Sequence, residues 1–205
     1  MKTGPAPAKL LSHCLSRPLT ETIAAMPDAP DNSTIIERLC LNCGLCCDGT
    51  IFADVRLRNE AEAARLKRGG LRPKRARSQS GPAAFRIPQP CAALGADCRC
   101  AVYEDRPGHC ARFECLLFQE VAQGAIQLAS AQRVVRKARR LRDQARELMD
   151  TLTDAGEDQS LRERFLLIAE MLEDYEPDEE TLAAFSDLTM AWQDLSCLLS
   201  ERFYR

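Results

Sequence analysis

Aromatic side chains are scarce in this sequence. They make up 5% of 205 residues, with a single Trp. Sheet-rich domains usually carry more, so the shortage points towards helix. No apolar run approaches membrane-spanning length. The first 33 residues contain basic side chains but no apolar stretch for a signal segment, and Pro5, Pro7, Pro18, Pro27 and Pro30 interrupt them. His13 directly before Cys14, with no apolar run ahead of it, argues against a lipoprotein site. Together these absences predict a cytoplasmic protein. A net charge of −2 gives no global electrostatic case for nucleic acid or an acidic membrane. No G-x-G-x-x-G loop is present to bind a nucleotide.

Cysteine, by contrast, is abundant. There are eleven, at 14, 40, 43, 46, 47, 91, 98, 100, 110, 115 and 197, and nine of them lie between Cys40 and Cys115. In a reducing compartment such a cluster more often binds metal or does redox chemistry than forms disulfides. Cys40, Cys43, Cys46 and Cys47 are spaced to converge on one helix face or in a tight turn. Pairing Cys46 with Cys47 would make a strained bond, and near neighbours cannot staple distant segments. A metal needs ligands from a second stretch, and Cys91, Cys98, Cys100, Cys110 and Cys115 supply one. Nine thiols suffice for two four-cysteine sites with one left over, or for one larger cluster. Cys110 and Cys115 would point different ways on a continuous helix, so sharing one metal would require a helix end or a break between them. Zinc takes four thiolates, and the C-x₂-C-x₂-C run of Cys40, Cys43 and Cys46 also permits a 4Fe–4S cluster, so the choice between zinc and iron stays open.

The stretches CLNCGLCC, CAAL and CAVYEDRPGHC resemble the CxxCxxCC family of zinc- or iron-chelating cysteine-cluster proteins. Cys40, Cys43, Cys46 and Cys47 match its first element, Cys91 to Leu94 its second, and Cys100, Val102, Tyr103, Arg106, Pro107 and Cys110 its third. Cys98 is extra to the pattern, and Cys115 is less firmly part of it. The resemblance covers roughly residues 38–118 and implies a metal centre of about eight cysteines. Flagellin lysine methylases carry a similar cysteine pattern. That opens an alternative reading as a metal- or Fe–S-dependent redox or methyl-transfer enzyme, although this chain is short for one and lacks the nucleotide loop.

The expected fold is mainly α. A flexible leader (1–33) precedes a small, irregular, Cys-rich metal-binding domain with short strands (34–118), and a helical region (119–205) follows as a hairpin or three-helix bundle. Strands are expected within TIFADVRL and at FRIP, and a helix over RNEAEAARLKRG that stops at Gly69-Gly70. LRPKRARSQSGP reads as a turn-rich basic loop, and DRPGHCARFECLLFQEVAQG as one helix with Pro107 in its first turn. Val134, Val135, Ala138, Leu141, Ala145, Leu148 and Leu152 form one helical stripe. SLRE at Ser160 is a capping box that opens a second helix, with Leu161, Phe165, Ile168, Leu172 and Tyr175 on one face. A third helix presents Leu182, Phe185, Leu188, Trp192, Leu195, Leu199 and Phe203. Short connections favour packing of these helices against the cysteine block. Cys197 is most simply a buried small hydrophobe.

Tyr103, Asp105 and Arg106 lie between candidate ligands. They could tune the centre, Arg106 by offsetting thiolate charge and Tyr103 by donating to a sulfur. The simpler reading pairs Arg106 with Asp105 or a carbonyl and puts Tyr103 in the core. His109 has many thiols as competitors for a metal. RLKRGGLRPKRAR holds seven basic residues in thirteen positions. A second run comprises Arg133, Arg136, Lys137, Arg139, Arg140, Arg142 and Arg146. Both read as solvated surface, because no aromatic platform for nucleic acid accompanies them. The functional expectation is a metal-binding protein, favoured over an enzyme. A further alternative is a zinc-scaffolded interaction module with a protein partner on the helical tail.

Overall fold

A computed structural model describes residues 30–76, 84–156, 158–173 and 176–204. The expected leader lies outside the described residues up to position 29. Helix α1 (Asn32–Arg38) starts where Asp31 accepts from the Thr34 N–H at 2.9 Å. A 3₁₀ turn (Cys40–Asn42) follows and opens the cysteine loop. Strand β1 (Asp54–Arg56) leads to α2 (Glu60–Arg68). Asn59 caps α2 by accepting from Glu62 N at 2.9 Å, with Glu60 and Glu62 in its first turn and Arg65, Lys67 and Arg68 in its last. These charges complement the helix dipole at both ends.

The expected loop after α2 contains a strand, β2 (Lys74–Ala76), which pairs antiparallel with β3 (Ala84–Pro88). Three residues of strand carry too little alternation to be read from sequence. The sheet order is β1-β3-β2, with Val55 opposite Ile87 and Arg75 opposite Phe85. The rest of the basic loop, at 77–83, lies outside the described residues.

The single helix expected from Asp105 onward is two: α3 (Gly108–Arg112) and α4 (Leu116–Ala122). Pro107 caps α3 from outside instead of sitting in its first turn. The break has a local cause. Cys115 turns extended (φ −71, ψ 164), and its sulfur accepts from the Phe118 N–H at 3.4 Å, capping α4.

Helices α5 (Leu128–Leu152), α6 (Leu161–Glu173) and α7 (Glu179–Arg202) complete the chain. The Ser160–Glu163 capping box forms, with Ser160 Oγ donating to Glu163 at 2.6 Å. The fold is mainly helical, and among the described residues one small sheet lies in the N-terminal part.

Two apolar clusters organise these elements. The larger joins α1, the cysteine loop, α4 and the three long helices through Ile35, Leu45, Leu117, Val135, Met149, Ile168, Leu195 and Phe203, among others. The smaller lies between α2 and the sheet, built from Val55, Leu57, Ala63, Leu66, Leu71, Ile87 and Ala93. Expected core residues Leu188, Leu195, Leu199 and Phe203 are buried, but Leu182 is 51% exposed. It sits in the first turn of α7, beyond the reach of the packed stripe. Tyr175 lies outside the described residues. Cys197 is half-buried rather than buried, and it is not among the nine free thiols. Leu195→Ala should cost about 2–5 kcal/mol in urea unfolding, because a fully enclosed side chain leaves a cavity. Leu182→Ala should change stability by no more than about 0.5 kcal/mol.

Candidate metal centre

The CxxCxxCC stretch is a run of turns. Cys43 N donates to the Cys40 carbonyl at 3.1 Å, and Gly44 O accepts from Cys47 N (2.9 Å) and Asp48 N (3.0 Å). Gly44 has φ +74, which a side chain rarely adopts, and a Cβ there would come within 3.3 Å of Cys98 Sγ. The loop's second glycine, Gly49 (φ +86), lies so close to α6 that a Cβ would meet Ser160 Cα at 3.0 Å.

The second cysteine stretch is tied to the first by backbone. Cys91 N donates to Cys47 O at 2.7 Å, and Gln89 N to Ala53 O at 3.0 Å. A bridge between Leu94 and Cys100, with Ala101 N on Ala93 O at 2.7 Å, folds Cys100 back beside Cys91. Between them Cys98 occupies a tight turn with φ 64. Helix α3 brings Cys110, and the break after it brings Cys115. All nine cysteines line one cavity of about 200 Å³.

The electrostatics of this cavity are governed by burial. Removal from water pushes the thiols of Cys40, Cys43 and Cys47 up to about 12 and that of Cys110 to about 11. It pushes Cys46 well above the ordinary thiol value and raises Cys91 and Cys115. Neighbouring sulfurs add repulsion in most cases. Cys40 is exposed as a residue, yet its sulfur lies inward among the others, and the sulfur's surroundings decide its proton affinity. Burial therefore keeps these thiols protonated, and a cation among them would favour their thiolates. As they stand, no three His, Cys, Asp or Glu side chains among the described residues are close enough to hold an ion. The sulfurs line one cavity but are not closed around a common point. The donor set fits a thiophilic metal: it is nearly all sulfur, from two chain stretches, and shielded from water.

Arg106 lies over the Tyr103 ring, 3.8 Å from its centroid, and donates to the Tyr103 carbonyl at 2.7 Å. Its charge favours the thiolate of Cys110. Asp105 points elsewhere. It pairs with Arg65 of α2 at 2.8 Å, in a largely exposed bridge. His109 is engaged with aromatic rings, 5.4 Å from Phe52 and 6.2 Å from Phe113.

The second basic run is not a solvated face throughout, because three of its arginines hold the cysteine loop. Arg142 is buried and ion-paired with Asp48, the residue after Cys47, with side chains 9% and 6% exposed. Arg146 donates to the Asp48 carbonyl at 2.6 Å, and Arg139 to the Asn42 carbonyl at 2.9 Å. Gln132 adds a bond to Arg38 O at 3.1 Å. The sequence did carry a sign of this. Arg142 falls on the apolar stripe between Ala138 and Ala145, where a charge must find a buried partner.

A family model described as "Putative zinc- or iron-chelating domain", CxxCxxCC, matches residues 39–134. Neither curated proteins nor solved structures yield a match.

Arg142→Ala should destabilise the protein by about 3–5 kcal/mol, since it strands the Asp48 carboxylate. Adding Asp48→Asn should recover part of that loss in a denaturation cycle. A second expectation concerns metal-free protein. The folded state holds thiol protons more tightly than the unfolded chain does. Stability is therefore fully present below about pH 9 and falls as pH rises towards 12. Thermal unfolding across that range, in chelator, measures it.

Proposed function

With a CxxCxxCC domain at residues 39–134 as the premise, we propose that this protein is a thiolate chelator of zinc or iron whose metal also holds the fold together. One observation carries the reading: nine free thiols from two chain stretches line a single shielded cavity. Cys40, Cys43, Cys46, Cys47, Cys91, Cys100, Cys110 and Cys115 are the candidate ligands, and Cys98, extra to the family pattern, lines the same cavity. Metal uptake exchanges thiol protons for the cation, and the repulsion among the sulfurs becomes attraction to it. Arg106 beside Cys110 partly offsets the negative charge that four thiolates leave on a divalent ion. A cytoplasmic setting would keep the thiols reduced and accessible to metal.

Of the two metals, zinc fits the all-thiolate character of the donors without requiring inorganic sulfide. An iron–sulfur cluster is the other form that the same ligands support. Exposed Leu166, Met171, Leu182 and Met190 on α6 and α7 favour a role for the helices in binding a protein partner.

Anaerobic purification followed by elemental analysis and an absorption spectrum tests the proposal. The expected result is stoichiometric zinc in colourless protein, or iron with sulfide and a broad visible absorbance. Protein that takes up neither metal, with all thiols still reactive, would overturn it. Cys43→Ser should lose metal and, with it, much of the thermal stability.

A further inference from the structure

We infer that the thiols form two four-sulfur metal sites fused at one peptide bond. Cys40, Cys43, Cys46 and Cys115 make the first, and Cys47, Cys91, Cys100 and Cys110 make the second. Cys98 belongs to neither. This rests on the chelating reading above and specifies its ligand sets.

Packing sorts the sulfurs first. Cys43, Cys46 and Cys115 pack on the large core of α1, α4 and the long helices. Cys91, Cys100 and Cys110 pack on the small core between α2 and the sheet. No cysteine is shared between the two cores. The break between α3 and α4 makes this possible, because it lets Cys110 and Cys115, five residues apart, face opposite cores.

Backbone bonds place the remaining two. The bond from Cys91 N to Cys47 O joins Cys47 to the second set. The 3₁₀ turn from Cys40 to Cys43 joins Cys40 to the first. Each set has the four thiolates that a closed tetrahedral ion takes. This gives the adjacent cysteines a distinct role, because consecutive residues cannot readily serve one small ion but can serve two ions side by side. Cys98, held in its turn against Gly44, is the spare thiol.

The test uses the full chain loaded with Zn(II) or with ¹¹³Cd(II). Wild-type protein should bind two zinc ions. Cys115→Ser and Cys110→Ser should each retain one, the double variant none, and Cys98→Ser both. In each single variant, alkylation mapping should find the three orphaned cysteines of the affected set reactive and the other four protected. Should a variant fail to fold, wild type loaded with ¹¹³Cd provides an independent reading. Two cadmium resonances are expected, each correlated with the β-protons of one set of four. A single ion per chain would overturn the inference while leaving chelation standing. So would loss of a metal in Cys98→Ser, or cadmium correlations that mix the sets. Failure of wild type to bind zinc, cadmium or iron would instead overturn the chelating reading itself.

Discussion

The rest of the structure answers to the cost of holding many sulfurs away from water. A buried thiol keeps its proton, and a second thiolate beside it makes ionisation harder still. Left alone, such a cavity is a cluster of weakly interacting neutral groups with little reason to stay gathered. A cation would add an attraction to every thiolate that outweighs their mutual repulsion. Folding and metal binding would then become one equilibrium, and the short helices and strands around the cavity need not be stable independently of it.

The helices supply what the cavity lacks. α5 reaches the end of α1 with Gln132 and the cysteine loop with Arg139, Arg142 and Arg146, spread over about four turns of one face. Three of these four bond backbone carbonyls, and so fix the path of the loop whatever its side chains do. The Arg142–Asp48 pair is different: it is buried, and a pair of apolar residues could match it for stability. Its value lies in register, because only one placement of the loop satisfies both charges.

Much of this was legible in the sequence. The helices α5, α6 and α7 with most of their apolar stripes, the box at Ser160 and the stop at Gly69-Gly70 follow from periodicity and local chemistry, Leu182 being the exposed exception. The two cysteine stretches were visible as partners because a metal draws on separated segments. Three things were not. The strand at Lys74 depends on a partner ten residues away, and its own three residues say nothing. The break at Phe113–Cys115 depends on a sulfur acting as a helix cap, a role usually given to oxygen. The inward arginines were masked by their solvated neighbours in one basic run, although Arg142 alone occupied an apolar position.

Consider finally the close approach of Gly49 to Ser160. The Gly49 carbonyl accepts from Leu161 N at 3.0 Å, so the first residue of α6 is bonded to the end of the cysteine loop. Tyr204, near the far end of the chain, reaches Ile51 O at 3.4 Å on the same segment. The span matched by the family, which ends at 134, thus stops short of the residues that clamp, floor and cover its own loop. Grafted elsewhere without them, the motif would carry its cysteines but not its shape. In this protein the cysteine cluster is less a portable cassette than a keystone, cut to fit an arch built by the residues that come after it.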